Sequence, residues 1–150
     1  MKKIFCFNGH PGAGKDAAGK MLTSQLESTK VYKMAEPIGA ALKATFGFTD
    51  EEYLYHREVG KSEPVFYSDD SSPSFRTCMI DYGEKFLKKT FYPEIFAYLL
   101  FERVKADGDS YDNIIITDIG FQKEFNLLCS LVSEYNKDNK NDPMQIYLYR

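Results

Sequence analysis

The sequence has little of what several common classes of protein require. Its 150 residues contain no tryptophan, two histidines and three cysteines, and no apolar run approaches the length of a membrane span. Cys6, Cys78 and Cys129 are far apart and lack C-x-x-C spacing, so we expect free thiols in a reducing, cytoplasmic compartment. The formal net charge of −3 argues against a nucleic-acid polymer as partner. These shortages favour a protein that acts without a membrane or nucleic acid, and a homodimer is the commonest assembly for such proteins.

What is present is an alternation of short apolar runs and amphipathic stretches, typical of an α/β domain with a parallel sheet covered by helices on both faces. No linker divides the chain, so we expect a single domain over residues 1–150. Residues 49–75 show no clear periodicity, and we expect them to be irregular. Strands are predicted at 4–7, 31–35, 114–117 and 145–149, and helices at 15–28 and 37–47, near 74, from 93, and around 125–132.

The stretch "FNGHPGAGKD" matches the phosphate-binding pattern G-x-x-x-x-G-K-[ST] from Gly9 to Lys15 and departs from it at Asp16. An apolar strand precedes it and a helix follows, as the pattern requires. Glycines allow backbone N–H groups to turn toward phosphate oxygens, and the helix N-terminus adds partial positive charge. Lys15 could then reach the phosphates as a point charge. The candidate nucleotide-binding residues are Gly9, His10, Pro11, Gly12, Ala13, Gly14, Lys15 and Asp16.

Two acidic residues are candidates for a magnesium site. Asp16 stands where a Ser or Thr hydroxyl normally binds Mg²⁺, and a carboxylate is also a hard oxygen ligand. It could equally serve only to cap the helix. Asp118 follows the apolar run "IIIT", and ligands bind at the carboxyl ends of strands in open parallel sheets.

Four segments together resemble the deoxynucleoside monophosphate kinases of bacteriophages, a branch of the P-loop nucleoside monophosphate kinases. The segments are "GHPGAGKD", "MAEPIGAAL", "SFRTCMIDYGEKFLKKTFYPEIFAYLL" and "ITDIGFQKEF". Each motif is loose by itself, but the four occur in the family's order between Met1 and about Phe125. The resemblance implies a three-layer αβα P-loop fold similar to that of adenylate kinase. It also implies a helical acceptor-binding part, at about 37–106, inserted between strands.

The same resemblance implies transfer of the ATP γ-phosphoryl group, with Mg²⁺, to a deoxynucleoside 5′-monophosphate. Lys15, Asp118 and Arg76 would be catalytic, and Asp16 and Asp118 would serve the metal. Arg76 falls on the family's substrate-phosphate arginine. Arg57 and Lys88 would also contact the acceptor, although Lys88 could instead lie on a solvated helix face.

Two departures from the family keep other hypotheses open. Gly120 stands where the family usually has an arginine. The family also carries an arginine-bearing lid and a further strand after the segment "QIYLYR", so we expect a fold that lacks them or a chain truncated at its C-terminus. The alternatives are a P-loop kinase with another acceptor, such as dephospho-coenzyme A or phosphomevalonate, and a nucleotide-binding module without catalysis.

Overall fold

The computed structural model describes residues 1–10, 12–66, 71–107 and 110–150. Their backbone contacts form two compact units, one of residues 1–34 and 94–150 and the other of residues 35–93. The first is called the sheet unit here and the second the helical unit. Within the described residues, no helix is long and apolar enough to cross a membrane.

The sheet unit contains four parallel strands in the order β2-β3-β1-β4. This confirms the predicted α/β class and parallel sheet. The helices of this unit connect the strands or follow them. The elements are β1 (Lys2–Phe7), α1 (Lys15–Gln25), β2 (Thr29–Tyr32), α6 (Ile95–Ala106), β3 (Asn113–Ile116), α7 (Gln122–Asp138) and β4 (Met144–Tyr149).

Helices cover opposite faces of this sheet, an arrangement compatible with a three-layer αβα fold. Gly19 of α1 lies against the side chains of Ile115 and Thr117 on one face. Cys6 of β1 is fully buried, and Cys129 of α7, on the other face, contributes to raising the pKa of its thiol. Continuous apolar strands such as "NIII" are expected where both faces are covered.

The helical unit contains α2 (Glu36–Phe46), α3 (Asp50–Glu58), α4 (Phe75–Ile80), a π-helical segment (Asp81–Leu87) and α5 (Lys88–Thr90). The prediction that residues 49–75 are irregular is wrong for α3. Thr49 accepts a hydrogen bond from the Glu52 amide, while the Glu52 carboxylate accepts one from the Thr49 amide. This capping box satisfies two amides that the first turn would otherwise leave without partners.

The helical part was predicted at about 37–106, whereas the helical unit spans residues 35–93. Helix α6 belongs to the sheet unit because one side of it is buried there against α7. Phe101 of α6 meets Tyr135 of α7 edge to face, with ring centroids 6.2 Å apart. The buried residues of α6 are Ile95, Phe96, Ala97, Leu100, Phe101 and Val104.

Candidate functional site

The first candidate site lies in the sheet unit at the carboxyl ends of β1 and β3. These strands are neighbours, with Cys6 in register with Ile116. From β1 the chain passes through α1, on one face, to β2 at one edge of the sheet. From β3 it passes through α7, on the other face, to β4 at the opposite edge. The two connections therefore run in opposite directions from neighbouring strands. In open parallel sheets, such a reversal opens the crevice in which ligands bind.

The loop between β1 and α1 has the backbone conformation that its glycines allow. Gly12 and Gly14 have φ angles of 81° and 80°, in the left-handed region that other residues seldom adopt. The first helical hydrogen bond runs from the Ala18 amide to the Gly14 carbonyl, at 2.8 Å. The amides of Lys15 and Asp16 precede it, and no side chain caps the helix. They are therefore available to an anionic ligand.

Lys15 is held at the same loop. Its Nζ donates hydrogen bonds to the carbonyl oxygens of Gly9, at 2.6 Å, and His10, at 2.8 Å. The ammonium group therefore lies over the loop, next to the start of α1, and does not extend into solvent along the helix. His10 is exposed and contributes its carbonyl to this contact. Pro11, also predicted to bind the nucleotide, lies outside the described residues.

The two acidic candidates lie at this same edge of the sheet. Thr117 donates a hydrogen bond from Oγ1 to Oδ1 of Asp16, at 2.8 Å, and the carboxylate remains 70% exposed. Lys33 Nζ is 3.9 Å from the same oxygen. Asp118 follows Thr117, and both of its carboxylate oxygens accept from the Met34 amide at 2.9 Å. Asp16 and Asp118 are thus brought into one neighbourhood by Thr117.

Asn8 joins the segments that follow β1 and β3. Its side-chain amide donates a hydrogen bond of 2.8 Å to the carbonyl of Ile119. Gly120, the next residue, is exposed, and a Cβ built on it would meet no atom within 4 Å. The glycine at this position is therefore not required by packing or by backbone conformation.

Asp16 and Asp118 fit a magnesium ion that takes most of its ligands from phosphate oxygens and waters and few from the protein. No group of three or more His, Cys, Asp or Glu side chains that could hold a metal occurs in the part of the chain that the structure describes. Mg²⁺ commonly binds through one or two carboxylates together with phosphate oxygens and waters. Asp16 is exposed enough to serve in this way, whereas Asp118 is already engaged by a backbone amide.

A second candidate site is a pocket of about 320 Å³ within the helical unit. Arg57, predicted to contact the acceptor, and Arg76, predicted to bind its phosphate, both line it. Among the described residues, neither arginine forms an ion pair with a carboxylate. The full lining is His56, Arg57, Lys61, Phe75, Arg76 and Met79, which combines positive charge with two apolar side chains.

Arg57 is positioned by its neighbours on α3 and α4. Its guanidinium lies 5.7 Å from the centre of the Tyr53 ring, and its Nη1 is 3.4 Å from the Tyr53 hydroxyl and 3.7 Å from the Met79 sulfur. These neutral contacts orient the group, and none of them compensates its charge. An anion in the pocket would supply that compensation.

Lys88, the third predicted acceptor residue, is placed differently. Its Nζ is 2.8 Å from Glu84 Oε1, one helical turn earlier, and its side chain is only 12% exposed. It does not line the pocket that Arg57 and Arg76 share. Its charge is paired with Glu84, and the structure does not bring it to the pocket of Arg57 and Arg76.

Several residues at these sites were not singled out from the sequence. In the sheet unit they are Thr117, which holds Asp16, and Gly19, which lets α1 approach β3. A glycine inside a helical pattern is the signal that could have identified Gly19. In the helical unit they are His56 and Lys61.

Comparison with known proteins adds no assignment to this geometry: no protein-family model matches the sequence, and no curated protein is detectably similar to it.

Proposed function

We propose that this protein is an ATP-dependent deoxynucleoside monophosphate kinase with a P-loop fold. The observation that carries the proposal is the position of Lys15, whose ammonium group is held on the glycine loop beside the uncapped start of α1. This loop lies at the crevice where the sheet's connections reverse, next to the segment that contains Asp118. The three free cysteines suit the reducing cytoplasm in which we place the reaction.

In the proposed reaction, the loop of the sheet unit binds the phosphates of ATP. The amides at the start of α1 would donate to phosphate oxygens, and the helix end adds favourable electrostatic potential there. Phosphate oxygens would also replace the carbonyls of Gly9 and His10 as acceptors for Lys15. Because such donors stabilise charge on the group being transferred, loss of Lys15 should affect the rate more than the fold.

Asp16 and Asp118 would serve the Mg²⁺ that accompanies ATP, which neutralises charge on the phosphates. Thr117 fixes the Asp16 carboxylate at one oxygen, so the second oxygen and the exposed side of the group stay open to a metal-bound water. Asp118, held by the Met34 amide, would act on the same water shell. These two carboxylates match the one or two that Mg²⁺ usually accepts from a protein.

The pocket in the helical unit would hold the monophosphate acceptor. The guanidinium groups of Arg57 and Arg76 form no ion pair with a carboxylate of the described residues, and such groups suit a terminal phosphate with two or three exposed oxygens. Met79 offers apolar surface to the sugar or base, above the buried ring of Phe75. We therefore assign phosphate recognition to Arg57 and Arg76.

The reaction is tested with ATP, Mg²⁺ and the four common deoxynucleoside monophosphates, by measuring ADP and deoxynucleoside diphosphate. Lys15→Ala should abolish transfer. Lys20→Ala, an exposed lysine on the same helix, should retain it. Equal activity in the two variants, or no transfer to any acceptor by the unmodified protein, would overturn the proposal.

The acceptor assignment has its own test. Arg76→Ala should raise the KM for the monophosphate at least tenfold while leaving ATP binding unchanged, and Lys89→Ala provides an exposed control on the next helix. Including dephospho-coenzyme A and phosphomevalonate in the acceptor panel separates this kinase from kinases with other acceptors. Faster transfer to either compound would reassign the substrate.

A second candidate, nucleotide binding without phosphoryl transfer, is favoured by Gly120. This position lacks the arginine of the resembling family, and the structure has room for a side chain there. Gly120→Arg should be tolerated. If it raises the transfer rate, a missing cation limits the kinase. If calorimetry shows that ATP binds, and neither the unmodified protein nor the Gly120→Arg variant transfers phosphate, the protein is better described as a nucleotide-binding module without catalysis.

A further inference from the structure

The pocket in the helical unit is lined by a histidine that was not a candidate site residue in the sequence and has no role in the proposed function. His56 of α3 lines the pocket together with Arg57, Lys61 and Arg76. Its ring stacks on Phe48, with centroids 5.1 Å apart and planes 11° apart. Tyr55 meets the ring edge-on at 5.5 Å. These contacts fix the plane of the imidazole ring.

The two nitrogens of His56 are in different environments. Nδ1 is buried and has no hydrogen-bond partner. Nε2 is not among the buried unpartnered atoms, and no hydrogen bond from it to a described residue exists. Nε2 is therefore the accessible nitrogen of a ring that lines the pocket.

This asymmetry selects a tautomer. A neutral imidazole has one N–H donor and one bare acceptor nitrogen. Buried N–H groups without a partner are rarer than under-satisfied acceptors, because their desolvation is not compensated. The proton of neutral His56 therefore belongs on Nε2, where it can reach a ligand. The tautomer is assigned from this hydrogen-bonding environment.

We infer that His56 is a phosphate-binding residue of the acceptor pocket, donating a hydrogen bond from Nε2 to a phosphate oxygen of the bound monophosphate. This inference rests on the proposed function, since it takes a phosphate monoester as the ligand. Arg57, Lys61 and Arg76 supply charge to the pocket, and His56 adds a directional donor in a ring whose plane is fixed by the Phe48 stack. Flexible lysines provide charge without such a constraint.

The donor role is tested by two substitutions that separate stacking from hydrogen bonding. His56→Phe retains an aromatic ring against Phe48 and removes the donor. His56→Gln loses the ring but can place an amide N–H near the position of Nε2. The probe is 2-deoxyribose 5-phosphate, which is common to all deoxynucleoside monophosphates and avoids any base preference, with 2-deoxyribose as the uncharged control.

We expect about tenfold weaker binding of the probe by His56→Phe, as for loss of one hydrogen bond to a charged group, and a smaller loss for His56→Gln. Thermal unfolding checks that both variants fold. Equal affinities for His56→Phe and the unmodified protein would overturn the inference, as would a larger loss in His56→Gln than in His56→Phe.

A measurement on the unmodified protein makes the test independent of substitution. Only two histidines occur, so long-range ¹H–¹⁵N spectra resolve the His56 ring. We expect an Nε2–H tautomer whose Nε2 shift moves as the probe is added. An Nδ1–H tautomer, or an unchanged shift at saturation, would overturn the inference. If Lys15→Ala still abolishes transfer and Arg76→Ala still raises KM, the kinase proposal stands without it.

Discussion

Thr117 donates a hydrogen bond of 2.8 Å to Asp16, and this bond joins the end of β3 to the first turn of α1. The two residues are far apart in sequence and belong to different predicted motifs. Their contact places the acidic residue at the start of α1 next to the segment that contains Asp118. The proposed metal site therefore depends on a hydroxyl group that was not itself a candidate metal ligand.

Thr117→Val is expected to weaken binding of MgATP severalfold while costing only about 1 kcal/mol of unfolding free energy. Valine keeps the shape that packs against Gly19 and removes only the donor. Asp16 is 70% exposed, so water can replace the lost bond at modest cost. Calorimetry with MgATP and urea denaturation measure the two effects.

Asp16→Asn is the matching control for Thr117→Val. The asparagine carbonyl can still accept from Thr117, but the charge is lost, so we expect unchanged stability and a higher Mg²⁺ requirement. Unchanged magnesium dependence in both variants would exclude Asp16 from the metal site and leave it as a residue of the helix start.

Gly19→Ala should destabilise the protein by about 1–3 kcal/mol, although alanine is the better helix former by about 1 kcal/mol. A Cβ on Gly19 would lie 2.5 Å from Cγ2 of Thr117 and 3.4 Å from Cγ2 of Ile115. Helix α1 would have to move away from β3 to relieve the first contact. Urea denaturation measures the loss.

Gly120→Ala is the control for the Gly19 prediction. Its added Cβ meets no atom within 4 Å, and we expect a change of less than about 0.5 kcal/mol. If the Gly19→Ala and Gly120→Ala variants had equal free energies of unfolding, α1 would not approach the sheet as closely as described.

Cys6 should resist alkylation in the folded protein. Burial raises the pKa of its thiol from 9.0 to about 12, with a smaller contribution from Cys129, so the reactive thiolate is scarce at pH 8. Cys78 and Cys129 also have raised pKa values, mainly through burial, but they are only partly buried. Mass spectrometry after iodoacetamide treatment should show Cys78 and Cys129 modified before Cys6.

The raised pKa of Cys6 also predicts how the free energy of unfolding changes with pH. Below pH 9 the thiol is protonated in both folded and unfolded chains, so it contributes nothing to pH dependence. Between about 9 and 12 the unfolded chain loses this proton first, and the free energy of unfolding should fall as pH rises. A Cys6→Ser variant should lose this part of the alkaline dependence. Fast labelling of native Cys6 would contradict the burial.

Much of the sheet unit could be predicted from sequence because its signals are local. The run "NIII" and the glycine-rich turn each indicate their conformation within a few residues, and they became β3 and the loop before α1. The face of α1 was harder to predict. Met21 is apolar and yet 64% exposed, because α1 approaches the sheet through the small surface of Gly19.

The helical unit was less predictable because its organisation comes from contacts between segments. Helix α3 has few apolar residues at helical spacing and no fully buried residue, so periodicity did not reveal it. The capping box of Thr49 and Glu52 was the available local signal. The pocket joins α3 to residues of α4, and a single sequence contains no direct indication that His56 and Arg76 share a cavity.

The sheet's strand order also constrains how the chain can fold during its synthesis. β1 is made first, but its two hydrogen-bonded neighbours are β3 and β4, which begin at Asn113 and Met144. β1 therefore stays unpaired until the segments of β3 and β4 have emerged from the ribosome. The helical unit is continuous in sequence and can assemble during that interval. Pairing of β1 therefore comes late, after the segment that forms the helical unit has been made.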